Sequence, residues 1–475
     1  MMGKKPPRQF GFDNRPPTPP PTRWSELLGA VDELIDFEPV RRMAKPHFAD
    51  VGRPSIDPVM MFKIMLTGFL LGIPSDRRLV EECADRASVR AFLGLGHDDD
   101  LPSHSSLTHW RQRLGPGFFR QMLHEIVGQC EGHGMTLSGA RTIDATEVKA
   151  QASKDGPTVE VPGDAGEVDE FVDRVFKDDL SDDSDEPDDG AAGASGASGG
   201  DTTPVNTHDP DARLQRKTHG IAEFRYNSSF WTDVSSGLII DATATAFERA
   251  ETILDHLWND PGPVTEIVAD LGYDSGPVLQ AALQCGVTVY LPPAADRSRG
   301  MLDKSLFAYI PDRDLYICPA GNELKRSRDD TQRRQTFYTA LQSDCRACPL
   351  KDQCTTASRR SISRMYTERA RNTAVRCGPR YEALQRQRRI DEHLHMLAKR
   401  DHAMSRARSV GLDAMKSQAA GTAMAINLKR LVKFMERQGS PSAQNRQALG
   451  AFLCLFALLA ALNAHHRTHR IPKTR

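Results

Sequence analysis

Thr265-Glu266-Ile267-Val268-Ala269-Asp270 is a short apolar run closed by a carboxylate, and the twenty or so residues after it decide the fold. Ser275 to Cys285 carries apolar residues at helical spacing, and Val287-Thr288-Val289-Tyr290-Leu291 is again β-prone. A strand, a helix and a second strand in so short a span predict a crossover unit on a parallel sheet edge. Working outward, Ala140-Arg141-Thr142-Ile143-Asp144-Ala145-Thr146 reads as a strand. Phe224 to Asp233 and Gly237 to Ala246 read as a hairpin, succeeded by a helix over Phe247 to Trp258. The sum is an α/β mixed sheet with crossover helices. Upstream, Trp24 to Gly117 predicts a compact helical block. There Asp57 caps and Pro58 opens one helix, Ser75 caps another, and Ser103 to Leu114 forms a third, short one bearing Trp110, Arg111 and Arg113. Downstream, Asp312 to Arg364 is rich in Cys and Arg, and Pro379 to Arg437 predicts a long helical region.

These patterns divide the chain into a basic, Pro-rich disordered tail (1–23), an N-terminal helical domain (24–130), a mixed-sheet domain (138–437) and a C-terminal helix with a basic tail (438–475). The sheet domain carries two insertions, an acidic segment at 155–205 and the Cys/Arg-rich stretch at 312–364. The acidic segment has too few apolar residues to predict a fold.

The formal net charge of the 475 residues is −1, which hides a strong asymmetry. Lys154 to Asp209 holds 17 acidic and 3 basic residues, so the remainder carries a net +13. Lys325 to Arg408 holds 21 Lys/Arg against 9 Asp/Glu. That block suits a polyanionic partner or a solvated helical surface. The N-terminus lacks an apolar core for a signal peptide. The longest apolar run, Ala448 to Leu462, is shorter than the ~20 residues a spanning helix needs. No membrane association is expected. Nine scattered cysteines exclude a disulfide scaffold and point to a reducing cytoplasm.

Three carboxylates stand out. Asp144 and Asp270 each fall at or near a strand end, where mixed sheets present their chemistry; each also suits the cap of a succeeding turn. Glu392 lies in Arg388-Arg389-Ile390-Asp391-Glu392-His393-Leu394-His395-Met396-Leu397-Ala398-Lys399. At about 100° per residue, Ile390, Leu394 and Leu397 gather on one side, and Arg388, Glu392 and Lys399 on the other. The helix therefore either projects those three together or closes an ordinary i,i+4 Arg388–Glu392 pair. Cys345-x2-Cys348-x5-Cys354, with Cys318 upstream, reads either as four thiolates around a structural Zn²⁺ or as free thiols.

Asp144 in Thr-Ile-Asp-Ala-Thr, Asp270 in Val-Ala-Asp-Leu-Gly-Tyr-Asp-Ser, and Glu392 in Arg388-x3-Glu392-x6-Lys399 resemble the three acidic motifs of bacterial insertion-sequence transposases of the DDE class. Gly52-Arg53-Pro54-Ser55-Ile56-Asp57-Pro58, Ser75-Asp76-Arg77-Arg78-Leu79, Pro102-Ser103-His104-Ser105-Ser106-Leu107, Asp209-Pro210-Asp211-Ala212-Arg213 and Ala425-Ile426-Asn427-Leu428-Lys429-Arg430-Leu431 are similar to one subgroup, which has an N-terminal helical domain and a cysteine-rich insertion before the catalytic Glu. Gln385 stands where the family's third motif usually has Tyr, with Tyr381 one turn earlier. The resemblance implies an RNase H-like catalytic domain in which Asp144, Asp270 and Glu392 hold two Mg²⁺ or Mn²⁺ ions for in-line phosphodiester displacement. It further implies cutting of double-stranded DNA at the element's ends, joining to target DNA, and a homodimer on the DNA in the bacterial cytoplasm at the nucleoid. Arg111 and Arg113 on the N-terminal helices, with Arg388 and Lys399, are then DNA contacts. Two rival readings are a general RNase H-like nuclease and a non-catalytic or inactivated DNA-binding protein.

Overall fold

A computed structural model describes residues 22–49, 55–153, 155–162, 202–215, 222–246, 250–260, 262–293, 301–330, 335–365 and 374–439. The expectations for 1–21, for most of the acidic segment and for 440–475 lie outside these residues.

The helical block comprises α1 (Arg23–Leu34), α2 (Glu38–Ala44), α3 (Pro58–Leu70), α4 (Asp76–Asp85), α5 (Ala87–Leu93) and α6 (His104–Gly132). The caps fall where the sequence puts them. Asp57 accepts from the Val59 N–H with Pro58 in the first turn, and the Ser75 hydroxyl accepts from the Arg78 N–H. The short third helix is instead the first part of α6. Gly115, at φ +68°, breaks the helical path, and Pro116 lets it resume, because a proline costs nothing where an N–H would go unbonded anyway. Trp110 is a core residue.

The main sheet contains β1 (Ala140–Lys149), β4 (Arg213–Gln215), β5 (Glu223–Asp233), β6 (Ile239–Thr245), β7 (Glu266–Val268) and β8 (Thr288–Tyr290). Its order is β4-β5-β1-β7-β8, with β6 also on β5. β5–β6 is the expected hairpin. β5 pairs antiparallel with β1, whereas β1–β7 and β7–β8 are parallel. Helices α7 (Ala250–Asn259) and α8 (Gly276–Gln284) make the crossovers. The ends of the acidic segment do fold: β2 (Thr158–Pro162) and β3 (Thr202–Asn206) pair antiparallel. Their Thr and Val residues supply the β-propensity that the acidic average conceals.

The Cys/Arg-rich stretch forms an antiparallel sheet of its own. It is built from β9 (Ala308–Ile310), β10 (Leu315–Ile317), β11 (Glu323–Asp330), β12 (Gln335–Ala340) and β13 (Ser361–Met365), with short helices α9 (Gln342–Arg346) and α10 (Lys351–Cys354) before the last strand. It has a small separate core around Phe307, Tyr316, Leu324, Tyr338 and Ile362.

The long helical region is three helices: α11 (Pro379–Gln387), α12 (Arg389–Asp401) and α13 (Leu412–Gly439). The break after α12 has a physical cause. His402 is buried and bonds the Phe69 carbonyl through Nδ1 at 2.8 Å, Ala403 adopts φ +57°, and the chain resumes a helix only after Gly411 at φ +97°. α13 then runs between the helical block and the sheet, so both share one core. Its Asn427 side chain is fully buried and replaces a strand partner for β6: Oδ1 accepts from the Ile239 N–H at 2.9 Å and Nδ2 donates to the Ile239 carbonyl at 2.7 Å. Arg120 of α6 adds an ionic tie, donating through Nε to both oxygens of buried Asp241 at 2.9 and 3.0 Å.

Burial pushes the His402 imidazole down to about 4, with the Lys429 ammonium acting in the same direction. The unfolded chain takes up this proton near pH 6.5 and the folded one only near pH 4. Stability from this site is therefore complete above pH 6.5 and lost as pH falls towards 4, on the order of 3 kcal/mol. In thermal melts across that window, His402→Gln should show a shallower loss than the parent.

Candidate active site

The parallel pairing of β1 with β7 sets the geometry. Thr142 lies opposite Val268 in register, and Asp144 and Asp270 each come two residues further on, Asp270 beyond the end of β7. Alternation along a strand puts positions two apart on one face, and in-register parallel neighbours share that face. β1 continues to Lys149, so Asp144 is mid-strand rather than terminal. Its Oδ1 accepts from the Ala145 N–H at 2.9 Å. Asp270 leaves β7 and caps a short 3-10 turn, Leu271–Tyr273, accepting from the Gly272 N–H at 2.8 Å through Oδ1. The capping role is thus real, and it leaves Oδ2 directed elsewhere: the Arg388 guanidinium stands 4.0 Å from it.

α12 lies over this face. Its buried side chains are Asp391, Leu394, His395 and Ala398. At about 100° per residue, that face is centred roughly a quarter-turn from the Arg388, Glu392 and Lys399 stripe. The stripe therefore flanks the contact with the sheet instead of opposing it. Ile390 and Leu397, which the apolar pattern assigns to the packed side, are only half-buried. The difference comes from two polar residues. The Thr142 hydroxyl donates to Asp391 Oδ1 at 2.8 Å, and His395 Nε2 bonds the Asp144 backbone carbonyl at 3.2 Å. Burial, reinforced by the nearby Asp144 charge and opposed by the Thr142 bond, pushes the Asp391 carboxyl up to about 7. Burial likewise pushes His395 down to about 4. Sequence reasoning misses both, because a helix wheel scores them as solvent-facing. The available signal is their i,i+4 spacing on the side that also carries Leu394 and Ala398. Glu392, one residue on, is exposed.

Asp144, Asp270 and Glu392 therefore come from three elements that meet on one side of the sheet, with Arg388 beside Asp270. Among the described residues, no group of three or more His, Cys, Asp or Glu side chains is placed to hold a metal ion. The donor set itself, carboxylate oxygens with a cation at the edge, has the chemistry that hard divalent ions prefer.

The other expected sites fare differently. Cys318, Cys345, Cys348 and Cys354 do converge, lining one small cavity with Leu324, Ala340 and Arg360. Cys318 Sγ accepts from the Asn322 N–H at 3.3 Å and Cys345 Sγ from the Arg360 N–H at 3.4 Å. Three of the four cysteines pack against the small core of the second sheet, and zinc gains no support. Cys83 and Cys130 are buried, and burial pushes each thiol up to about 12. Arg111 is engaged by Asp76 on α4, with Nη1 to Oδ1 at 3.0 Å, while exposed Arg113 lies 5.3 Å over the Phe48 ring. Much of the basic stretch is also partnered. Arg326 pairs with Asp314 and Asp329, Arg376 with Asp274, and Arg380 with Glu266; Arg364 stacks 4.0 Å over Tyr309. No described helix is long and apolar enough to cross a membrane.

If Asp270 caps its turn as seen, Asp270→Ala should cost about 0.5–2 kcal/mol in chemical denaturation, whereas Asp270→Asn, which keeps the accepting oxygen, should cost at most a few tenths.

Comparison with known proteins gives two matches. Residues 21–113 match the family described as Transposase domain (DUF772), and residues 317–432 match the family described as Transposase DDE domain. No curated protein matches the chain. The first match runs from just before α1 into α6, ending two residues short of the Gly115 break. The second runs from the end of β10 into α13 and includes Arg388, Glu392 and Lys399, while Asp144 and Asp270 lie between the two. A transposase domain near one end and a transposase DDE domain towards the other together indicate a DNA transposase of the insertion-sequence DDE class.

Proposed function

We propose that the sheet domain is RNase H-like and that Asp144, Asp270 and Glu392 are its catalytic carboxylates. On this reading the protein cuts double-stranded DNA at insertion-sequence ends and joins the freed 3′-hydroxyl to target DNA. The observation that supports the assignment is the register of β1 and β7, with Thr142 opposite Val268 two residues before each Asp, together with Arg388 at 4.0 Å from Asp270 and Asp391, the neighbour of Glu392, bonded to Thr142. An antiparallel trio continued by two parallel strands, with a helix across the first strand, agrees with the RNase H-like expectation.

Divalent cations, Mg²⁺ or Mn²⁺ and two of them on this proposal, supply Lewis acidity for displacement at phosphorus when bound. The chain's own residues do the rest. Asp144 and Asp270 offer oxygen ligands from a rigid sheet, and Glu392 offers a third from the helix flank. Arg388, beside Asp270, neutralises phosphate charge as the scissile strand approaches, and Lys399, three turns along from the start of the stripe, meets the flanking backbone. Cleavage and joining are both phosphodiester displacements, so one site serves both. Two ends must be cut and joined together, so the working form is a homodimer on DNA. The helical block is the proposed end-binding region, with Arg113 displayed and Arg111 bound to Asp76.

The test uses full-length protein, Mg²⁺ and labelled duplexes carrying the sequences that flank the gene. The parent should nick at the element boundary and transfer the 3′ end to a second duplex; Asp144→Ala and Glu392→Gln should lower nicking at least a hundredfold while leaving duplex binding within threefold. Parental nicking by Asp144→Ala would remove the assignment. Metal-dependent nicking without preference for the boundary would favour a general nuclease.

A further inference from the structure

We infer that Asp391 is a positioning residue that locks α12 onto β1 and so sets where Glu392 and Arg388 stand relative to Asp144 and Asp270. The inference rests on the site assignment above.

Four residues of the sheet form a ladder under the helix. In register, Thr142 faces Thr232 and Asp144 faces Phe230 across β1 and β5. α12 meets this ladder at two successive turns. Asp391 sits on the Thr142 level, its Oδ1 accepting the Thr142 hydroxyl at 2.8 Å. His395 sits on the Asp144 level, with its ring stacked on Phe230 at 4.8 Å and 14° and Nε2 on the Asp144 carbonyl at 3.2 Å. A carbonyl can only accept, so His395 Nε2 carries the proton. A helix advances about 6 Å in four residues and a strand nearly 7 Å in two, so the two contacts fit one register and no neighbouring one.

The arrangement is costly, which argues that it is not incidental. Asp391 is 0% exposed with its carboxyl against the Thr142 and Thr232 hydroxyls, and His395 Nδ1 is buried without a hydrogen-bond partner among the described residues. An apolar residue at 391 would pack there more cheaply. What a polar anchor adds is direction. A leucine can slide along a strand face by a fraction of a turn, whereas an oxygen bonded to one hydroxyl cannot. The unit it fixes is short: Arg388 lies outside α12, immediately before it, and Glu392 is the next residue after the anchor.

The experiment measures Mn²⁺ affinity of the full chain by paramagnetic resonance, hydrogen exchange in α12, and Mg²⁺-dependent nicking. The variants are Asp391→Ala, Asp391→Asn, Thr142→Val and the Asp391→Ala/Thr142→Val double. Loss of the clamp should weaken Mn²⁺ binding about tenfold in Asp391→Ala and in Thr142→Val, and speed exchange over 389–395. The double should be no worse than the worse single, since both remove one contact. Asp391→Asn keeps an oxygen for Thr142 and should recover to within about threefold of the parent. Parental Mn²⁺ affinity in Asp391→Ala and Thr142→Val, with lowered melting temperature alone, would show that the contact is merely structural and overturn the inference. Asp391→Asn as defective as Asp391→Ala would make Asp391 a ligand and overturn it too. Nicking by Asp144→Ala at the parental rate would instead defeat the site assignment, and the exchange data would still decide the clamp.

Discussion

Everything at the candidate site depends on one backbone constraint, the parallel register in which Thr142 faces Val268. Because side chains alternate along strands, that register fixes which side chains of β1 and β7 share a face in the two residues before Asp144 and Asp270; a slip of one residue would turn the side chains of β7 to the other face. The pairing is held from behind. Arg141, on the opposite face of β1, is fully buried and donates to Asp233 at 2.8 Å and to Asp260 at 2.9 Å, tying β1 to the end of β5 and to the loop before β7. Removing Arg141 would strand two buried carboxylates, so the register is defended by a penalty as well as by the ladder.

The second half of the site is a helix placed by polar contacts as well as by its buried Leu394 and Ala398. α12 sits between α11 and α13, and α13 in turn joins the helical block to the sheet through Asn427 and a shared core. A second polar cluster reinforces that joint. Burial opposes ionisation of Asp241, yet His256, His124 and Arg120 outweigh it and hold the carboxyl well below its usual range. His256 also reaches Ser229 at 3.2 Å on the strand beside β1. The matched transposase domain of the N-terminal region and the sheet are thus braced together through β5 and β6, with the carboxylates on the far side of that brace.

The strand–helix–strand run at 265–291, the hairpin and the caps at Asp57 and Ser75 are legible in the sequence, because each is a local pattern with a local cause. Asp270 is legible for the same reason. The features that the sequence conceals arise where distant residues decide. A helix wheel rotates the buried face of α12 because Asp391 and His395 count as polar until Thr142 and the Asp144 carbonyl are beside them. The break at His402 depends on the Phe69 carbonyl, more than three hundred positions away. The cysteines converge as their spacing suggests, but convergence around a small apolar core does not by itself make a metal site. Segment charge is the weakest guide: the basic stretch 325–408 counts many cations that the fold pairs with Asp314, Glu266 and Asp274.

The central claim is that three carboxylates from β1, the end of β7 and α12 act as one divalent-cation site. The most direct measurement is Mn²⁺ binding to the full-length protein by paramagnetic resonance, repeated with Asp144→Ala, Asp270→Asn and Glu392→Gln. The account predicts saturable binding by the parent, weakened at least tenfold by each substitution, with Asp270→Asn doing so although its turn cap is intact. Equal affinity in the parent and all three variants would contradict it.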